Sequence, residues 1–239
     1  MIKLEKTNVM NMENAIRGAR NPMNSWDKSD SFVCKECNGG LCEFGGWNGR
    51  DCQVTDTNNF VLGSNDLGLA RRLIKAGSDH RKFLRQIFVS VDITAPLYWW
   101  KEFDTYKVGT TANSCSTMHK IHAKEFTWDD FSHEHLEYGY LSGSGTSSRQ
   151  IMSALIQHLN ACREHYIQTK NKNDWWQMIQ LLPSSYNQLR TCTLTYENLL
   201  NQYHARKHHK LDEWHIYCDW IEALPYFKEM CLEDKTDGD

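Results

Sequence analysis

The sequence predicts an α+β fold in which helices outweigh strands. Apolar residues recur at helical spacing in several long segments. Strict apolar–polar alternation is confined to short runs, at residues 87–93 and 189–195. Two more strands are expected, at residues 2–4 and around residue 120. Many helices with few strands indicate a small antiparallel or mixed sheet covered by helices.

Length and composition indicate the number of domains, the class of partner and the cellular compartment. A chain of 239 residues is one domain of ordinary size, and we expect a single domain over residues 1–239. The net charge of -3 argues against a nucleic-acid polymer as partner but permits a small nucleotide. No apolar run reaches membrane-spanning length, and the first residues lack signal-peptide features. Nine cysteines without such a signal indicate a reducing, cytoplasmic compartment.

The spacing of apolar residues and the residues typical of helix ends predict several helices. The predicted helices span residues 12–20, 66–76, 148–168, 174–182 and 211–224, and a further one is opened by Thr94 to Pro96. In the longest helix, the apolar stripe is expected to be Ile151, Leu155, Leu159, Cys162 and Tyr166. Residues 109–112 are expected to form a loop.

A cysteine- and glycine-rich segment interrupts this pattern at about residues 32–56. Its spacing is Cys34-x2-Cys37-x4-Cys42-x9-Cys52. Four thiolates in a flexible loop suit a tetrahedral structural zinc site, whose binding energy would order a segment with little core of its own. The alternative is a glycine-rich surface insert with reduced cysteines.

The stretch from residue 181 to residue 220 contains the most informative pattern. A Leu-Pro turn leads into the strand at 189–195, and Thr195 is a predicted N-cap for the helix that follows. Asn201 and Arg206 lie on that helix, about one and a half turns apart. Such a pair can contact an anion such as phosphate. A solvated helix face is the alternative interpretation.

The order Leu-Pro, strand, Leu199-x-Asn201 and Arg206 resembles the C-terminal signature of the flavin-dependent thymidylate synthases. A second block is similar: His80 stands where that family has Gly-His, and the spacing from His80 to Lys107 is preserved without a gap. The resemblance implies that family's α+β fold and a homotetramer with sites shared between subunits.

The resemblance also implies an activity and a set of site residues. In the family, reduced FAD moves a one-carbon unit from methylenetetrahydrofolate to C5 of dUMP. Arg206 is then the expected catalytic residue, which polarises the uracil. The expected cofactor contacts are His80, Lys107, Asn113 and Asn201. The expected nucleotide contacts are Lys101, Glu102, Ser116 and Arg206, with Glu102 accepting hydrogen bonds from a base edge.

Several positions depart from the family pattern. Thr105, Tyr106 and Lys107 stand in place of Arg-His-Arg, and Glu197 stands in place of an arginine on the flavin side. A threonine cannot supply the bidentate bonds that arginine makes to phosphate. The sequence therefore leaves two hypotheses open. One is a divergent enzyme acting on dUMP or a related nucleotide, and the other is an inactive scaffold that binds a nucleotide or a partner.

Overall fold

The computed structural model describes residues 1–34, 59–139 and 145–233. Within these ranges the helices are α1 (Met12–Ala19), α2 (Ser64–Lys75), α3 (Leu97–Phe103), α4 (Thr117–Lys120), α5 (Ser148–Thr169), α6 (Lys172–Leu181), α7 (Tyr196–Arg206), α8 (Asp212–Glu222) and α9 (Phe227–Cys231). The strands are β1 (Lys3–Met10), β2 (Phe32–Val33), β3 (Phe60–Val61), β4 (Phe88–Pro96), β5 (Thr111–Ser114) and β6 (Asn187–Thr195).

Four strands form the main sheet in the order β1-β4-β6-β5. The predicted α+β class is confirmed, because helices predominate over a small antiparallel sheet. A second, two-stranded sheet pairs β2 with β3 antiparallel, Phe32 opposite Val61. None of the described helices combines the length and the apolar character that a membrane span requires.

Contacts divide the chain into two compact units. The first consists of Met1–Lys3, Ile93–Thr105 and Asn113–Arg190, and the second of Leu4–Asp92, Tyr106–Ala112 and Thr191–Asp239. In the first unit, α5 packs on α6. The core of that unit consists of Ile121, Phe126, Phe131, Met152, Ile156, Leu159, Cys162 and Met178. In the second unit, α2 packs against α1 and α9, and α7 packs against α8 and a 3₁₀ turn over Lys82–Gln86.

The alternation of β4 is confirmed and extends further than expected. Val89, Val91, Ile93 and Ala95 are all buried, while the residues between them are half-buried. The strand continues through Pro96, so the helix that residues 94–96 were predicted to open is present but starts later than expected. The helix α3 begins at Leu97, and Pro96 is its N-cap residue in an extended conformation. Proline suits that place because it has no N–H to leave unbonded.

Three other details differ from the sequence-based expectations. Residues 117–120 form the short helix α4 rather than a strand, and the first half of β5 lies in residues 109–112, which were expected to form a loop. β5 is polar and wholly exposed, so it carries no apolar alternation by which it could be recognised. In α5 the buried residues are Met152, Ile156, Leu159 and Cys162, whereas Ile151 is exposed.

The start of α2 is determined by a residue from far back in the chain. The carboxylate of Asp30 accepts hydrogen bonds from the backbone N–H of Asn65 at 2.8 Å and of Asp66 at 3.1 Å. These are two of the donors that a helix leaves unbonded at its N-terminus. Gly63, the N-cap residue, passes so close to Asp30 that an added Cβ would lie 2.2 Å from its carboxylate. Only glycine fits there.

Asp66, in the first turn of α2, is the centre of a buried polar network. Its carboxylate lies 2.5 Å from Arg20 Nε and accepts hydrogen bonds from the hydroxyls of Ser29 at 2.7 Å and Ser31 at 2.6 Å. Both Arg20 and Asp66 are almost completely buried. Burial favours the neutral acid, but the bonds from Ser31, Ser29 and Arg20 outweigh it and lower the pKa of Asp66.

We expect Asp66→Asn to destabilise the protein by at least about 3 kcal/mol at pH 7, because it leaves the buried Arg20 guanidinium without a counter-charge. Urea unfolding at several pH values measures this. A lowered pKa in the folded state stabilises the protein above the carboxyl's unfolded pKa, and the effect is lost as pH falls through the folded value. The difference in the free energy of unfolding between wild type and variant should therefore become smaller below about pH 4. A difference that persists in acid would contradict this account.

Candidate functional site

Helix α7 carries two of the predicted site residues of the second unit, Asn201 and Arg206, and its start is tightly fixed. Thr195 and Asn198 form a reciprocal capping box, which satisfies two N-terminal donors. The Asn198 side chain also donates to the carbonyl of Val108 at 2.7 Å. Gly109 follows with φ of 73°, and an added Cβ there would come within 3.1 Å of Asn198. The segment containing Tyr106 and Lys107 is thereby attached to the beginning of α7.

Arg81 links two residues that lie one turn apart on α7. Its Nε donates to Glu197 at 3.1 Å, and its Nη2 donates to the side-chain oxygen of Asn201 at 3.2 Å. Glu197 is buried, and the second oxygen of its carboxylate accepts no hydrogen bond. The predicted cofactor contact Asn201 is therefore held by a protein side chain that the sequence analysis did not single out.

The surroundings of this pair carry further ionisable groups. Arg85 lies 3.9 Å from the Glu197 carboxylate, with 53% of its side chain exposed. Burial raises the pKa of the Cys231 thiol to about 12, so that this neighbour of Arg81 and Glu197 is neutral. Burial, Lys207 and Arg81 together lower the pKa of His204. Two guanidinium groups thus face one carboxylate, and this cluster keeps a net positive charge.

Arg206, the predicted catalytic residue, is held by an aromatic clamp at the C-terminal end of α7. Its Nε donates to the hydroxyl of Tyr106 at 2.8 Å. The guanidinium lies 4.8 Å from the ring centroid of Trp214 and 5.5 Å from that of Tyr106. Trp214 is fully buried, so it provides a rigid surface for the cation. Tyr106 takes part in the clamp at the middle position of the altered Arg-His-Arg motif.

The remaining predicted residues of the second unit are more exposed. His80 lies in a turn, where its backbone N–H donates to the carbonyl of Gly77 at 3.0 Å, and it directly precedes Arg81. Lys107 is exposed, directly after Tyr106. Asn201 is thus bonded to Arg81, the neighbour of His80, and Arg206 is bonded to Tyr106, the neighbour of Lys107.

The other four predicted residues belong to the first unit. Lys101 is exposed on α3, and the neighbouring Glu102 is half-buried. Asn113 lies in β5 with an exposed side chain. Ser116 is the N-cap of α4, and its hydroxyl accepts a hydrogen bond from the backbone N–H of His119 at 3.2 Å. This hydroxyl thus has a structural role in α4.

Sequence analysis overlooked a positioned arginine in the first unit. Arg190 lies over the ring of Trp100, 4.2 Å from the centroid, and donates to Asp104 at 2.7 Å and to Gln188 at 3.0 Å. Gln188 in turn donates to the carbonyl of Cys115 and the hydroxyl of Thr117. The available signal was an arginine among the polar positions of the alternating strand at residues 189–195, and the alternation alone gives such a position no specific role.

The zinc prediction concerns residues that are mostly outside the structure. Cys37, Cys42 and Cys52 lie outside the described residues, whereas Cys34 is buried, with its backbone N–H bonded to the carbonyl of Asn59 at 2.8 Å. In the described parts of the chain, no three His, Cys, Asp or Glu side chains are arranged to hold a metal ion. The four-cysteine site therefore stays a prediction.

Comparison with known proteins identifies the fold. The chain is similar to two structures of thymidylate synthase X from Helicobacter pylori with FAD and dUMP, each at 13% identity. One covers 98% of both chains with a TM-score of 0.62, and the other covers 96% of this chain and 99% of its own with a TM-score of 0.60. The chain has the fold of the flavin-dependent thymidylate synthases.

A relative of different specificity shares this fold. The UMP/dUMP methylase PolB from Streptomyces cacaoi, bound with 5-Br dUMP, is 13% identical, with 93% of this chain and 88% of the other covered and a TM-score of 0.53. No family model matches the sequence. No curated protein matches it either. The thymidylate synthase fold is therefore present in a chain whose sequence has diverged far from both enzymes.

A double-mutant cycle tests the buried Arg81–Glu197 pair. Arg81→Gln should destabilise the protein by about 3 kcal/mol, since it leaves a buried carboxylate without its cation. The double variant Arg81→Gln/Glu197→Gln should lose less than the sum of the single changes, with a coupling of about 1–3 kcal/mol in urea unfolding.

Arg85→Gln is the matched control for this cycle, because Arg85 is more exposed and farther from the same carboxylate. We expect it to change stability by less than about 0.5 kcal/mol. Additive effects of Arg81→Gln and Glu197→Gln would show that the pair is not coupled.

Proposed function

We propose that this protein transfers a one-carbon unit to C5 of a uracil nucleotide, dUMP or a related one, using FAD and methylenetetrahydrofolate. The observation that carries the proposal is the fixed orientation of Arg206 in a chain with the thymidylate synthase X fold. Enzymes with this fold were solved with dUMP or an analogue of it. The likeness supports a nucleotide ligand, and the clamp supports a specific task for Arg206.

The clamp around Arg206 suits recognition of a flat, polarisable base. A guanidinium is planar and always charged, and its N–H donors lie in a rigid fork. Stacking on Trp214 and the bond to Tyr106 fix the plane of the fork before any ligand arrives. A donor that is already oriented stabilises developing negative charge without first reorganising. Arg206 would in this way polarise a uracil carbonyl and make C5 more reactive.

The contacts proposed for the rest of the nucleotide depend on the resemblance alone. Lys101 and Ser116 are proposed at its phosphate, and Glu102 at the donor edge of the base. Lysine is a point charge rather than a fork, so it holds a phosphate with less geometric selectivity than arginine.

The charges around Glu197 are compatible with an anionic cofactor. The family's arginine is absent at this position, but Arg81 neutralises Glu197, and the half-exposed Arg85 adds a positive charge. His80, Arg85, Lys107 and Asn201 are the residues we propose to hold FAD, together with Asn113. The chemistry that FAD would supply is the redox transfer of the one-carbon unit from methylenetetrahydrofolate. By the same resemblance, we propose a cytoplasmic homotetramer, which light scattering can check.

One observation favours a second candidate function, nucleotide binding without flavin chemistry. The side-chain oxygen of Asn201 already accepts a hydrogen bond from Arg81, and the Nε and Nη2 of Arg81 both donate within the protein. A flavin would have to displace these bonds. In that case the protein is a scaffold that binds a nucleotide or a partner.

The visible spectrum of the purified protein and calorimetric titration with dUMP, UMP and FAD distinguish the two candidates. Flavin absorbance, or FAD binding, together with binding of a uracil nucleotide is expected for the enzyme. Nucleotide binding by a colourless protein that does not bind FAD would favour the scaffold. Failure to bind either class of ligand would overturn both.

Tyr106→Phe tests the clamp in the same titrations. Losing the hydroxyl frees the Arg206 guanidinium to rotate, so we expect uracil-nucleotide binding to weaken about 10-fold, the worth of one hydrogen bond to a charged group. Tyr138→Phe is the control, since Tyr138 is 78% exposed and stacks on Arg149, a contact that phenylalanine retains. Unchanged binding by Tyr106→Phe would show that the clamp does not prepare Arg206 for the base.

A further inference from the structure

A groove of about 760 Å³ lies in the second unit, on residues that the proposed function does not use. It is bordered by one face of α2, the C-terminal part of α7 and the end of α9. Its basic side chains are Arg71, Arg72, Lys75, His204 and Lys207, and the carboxylate among its lining residues is that of Glu233. We call it the cationic groove. Its volume is in the range that holds a nucleotide-sized ligand.

The α2 side of the cationic groove is a single helical face. Arg71, Arg72 and Lys75 follow Leu67 and Gly68 at intervals of three and four residues, which bring side chains to one side of a helix. Arg72 and Lys75 are exposed at its rim. The groove therefore presents positive charges along its length rather than at one point.

Most of this charge is not neutralised by the residues that the structure describes. Arg71 donates to the carbonyl of Glu229 at 2.7 Å and lies 3.4 Å from Glu233, the one carboxylate of the lining. Across residues 1–34, 59–139 and 145–233, Arg72, Lys75 and Lys207 form no ion pair. Three cations that repel one another across a groove favour an anion between them.

One part of the lining is an apolar wall. Leu67 and Ile74 come from α2, and Met230 and Leu232 come from α9 and the residue after it. A small inorganic anion would not bury this apolar surface, whereas the flat ring of a nucleoside would remove it from water, which is favourable. Charges spread along the groove also suit several linked phosphates better than one.

We propose that the cationic groove binds a nucleoside triphosphate, with the phosphates against Arg72, Lys75 and Lys207 and the nucleoside against the apolar wall. This inference is independent of the proposed function, because neither the Arg206 clamp nor the Arg81–Glu197 pair lines the groove. It would be a second nucleotide site on the same chain.

Calorimetric titration of the full chain with ATP tests the proposal, because ATP carries no uracil for the Arg206 clamp. We expect saturable binding that weakens as salt rises and is unchanged by saturating UMP. Arg72→Gln/Lys75→Gln should weaken ATP binding by at least about 10-fold, because it removes two charge-assisted contacts to phosphate. Arg17→Gln/Lys28→Gln removes the same charge elsewhere in the second unit and should leave ATP binding within about twofold.

Other outcomes would overturn the proposal. Absence of ATP binding, equal binding by Arg72→Gln/Lys75→Gln, or competition by UMP would exclude a separate triphosphate site. Inorganic tripolyphosphate that binds as tightly as ATP would show that the nucleoside makes no contact. Each of these results is independent of whether dUMP binds, so the proposed function is judged separately.

Discussion

A buried carboxylate at the second position of α7 constrains the whole neighbourhood of the candidate site. Glu197 is buried, and an ionised group removed from water needs a partner of opposite charge. Arg81 provides it from the turn before β4, and the same guanidinium then reaches Asn201. Because one side chain bonds to two successive turns of α7, the orientation of that helix face depends on the ion pair. Any ligand on this face must either accommodate the pair or replace it.

The positions of charge, rather than the fold, distinguish this chain from the family pattern. The family has an arginine at the position of Glu197, and here the guanidinium comes from Arg81 while the carboxylate takes the helix position. Tyr106, where the family has a histidine, bonds Arg206. In both places the residue that differs from the family pattern is bonded to another side chain of this chain. A carboxylate or a phenol cannot make the bidentate bonds that an arginine makes to a phosphate.

Sequence patterns predicted most of the fold because the signals were local. β4 and α7 were found from alternation and from the Thr195 cap, both of which involve neighbouring residues. The start of α2 was misplaced by two residues, since its cap is the side chain of Asp30 and the sequence does not reveal that approach. The apolar stripe predicted for α5 differs from the face that is buried, for a related reason. Ile151 and Met152 are equally apolar, and only packing against α6 decides which of them is buried.

The site was less predictable than the fold because its contacts join distant segments. Nothing near Asn201 indicates that Arg81, 120 residues earlier, occupies its oxygen. The gapless spacings nevertheless led to the right fold at 13% identity. Packing explains this: α7 must begin where its cap meets the end of β6, and its buried residues Leu199 and Leu200 must face the interior. These requirements preserve the distance between elements while the ligand-facing residues change freely. A chain can therefore keep the spacing of this scaffold although the charged residues around its candidate site differ from the family pattern.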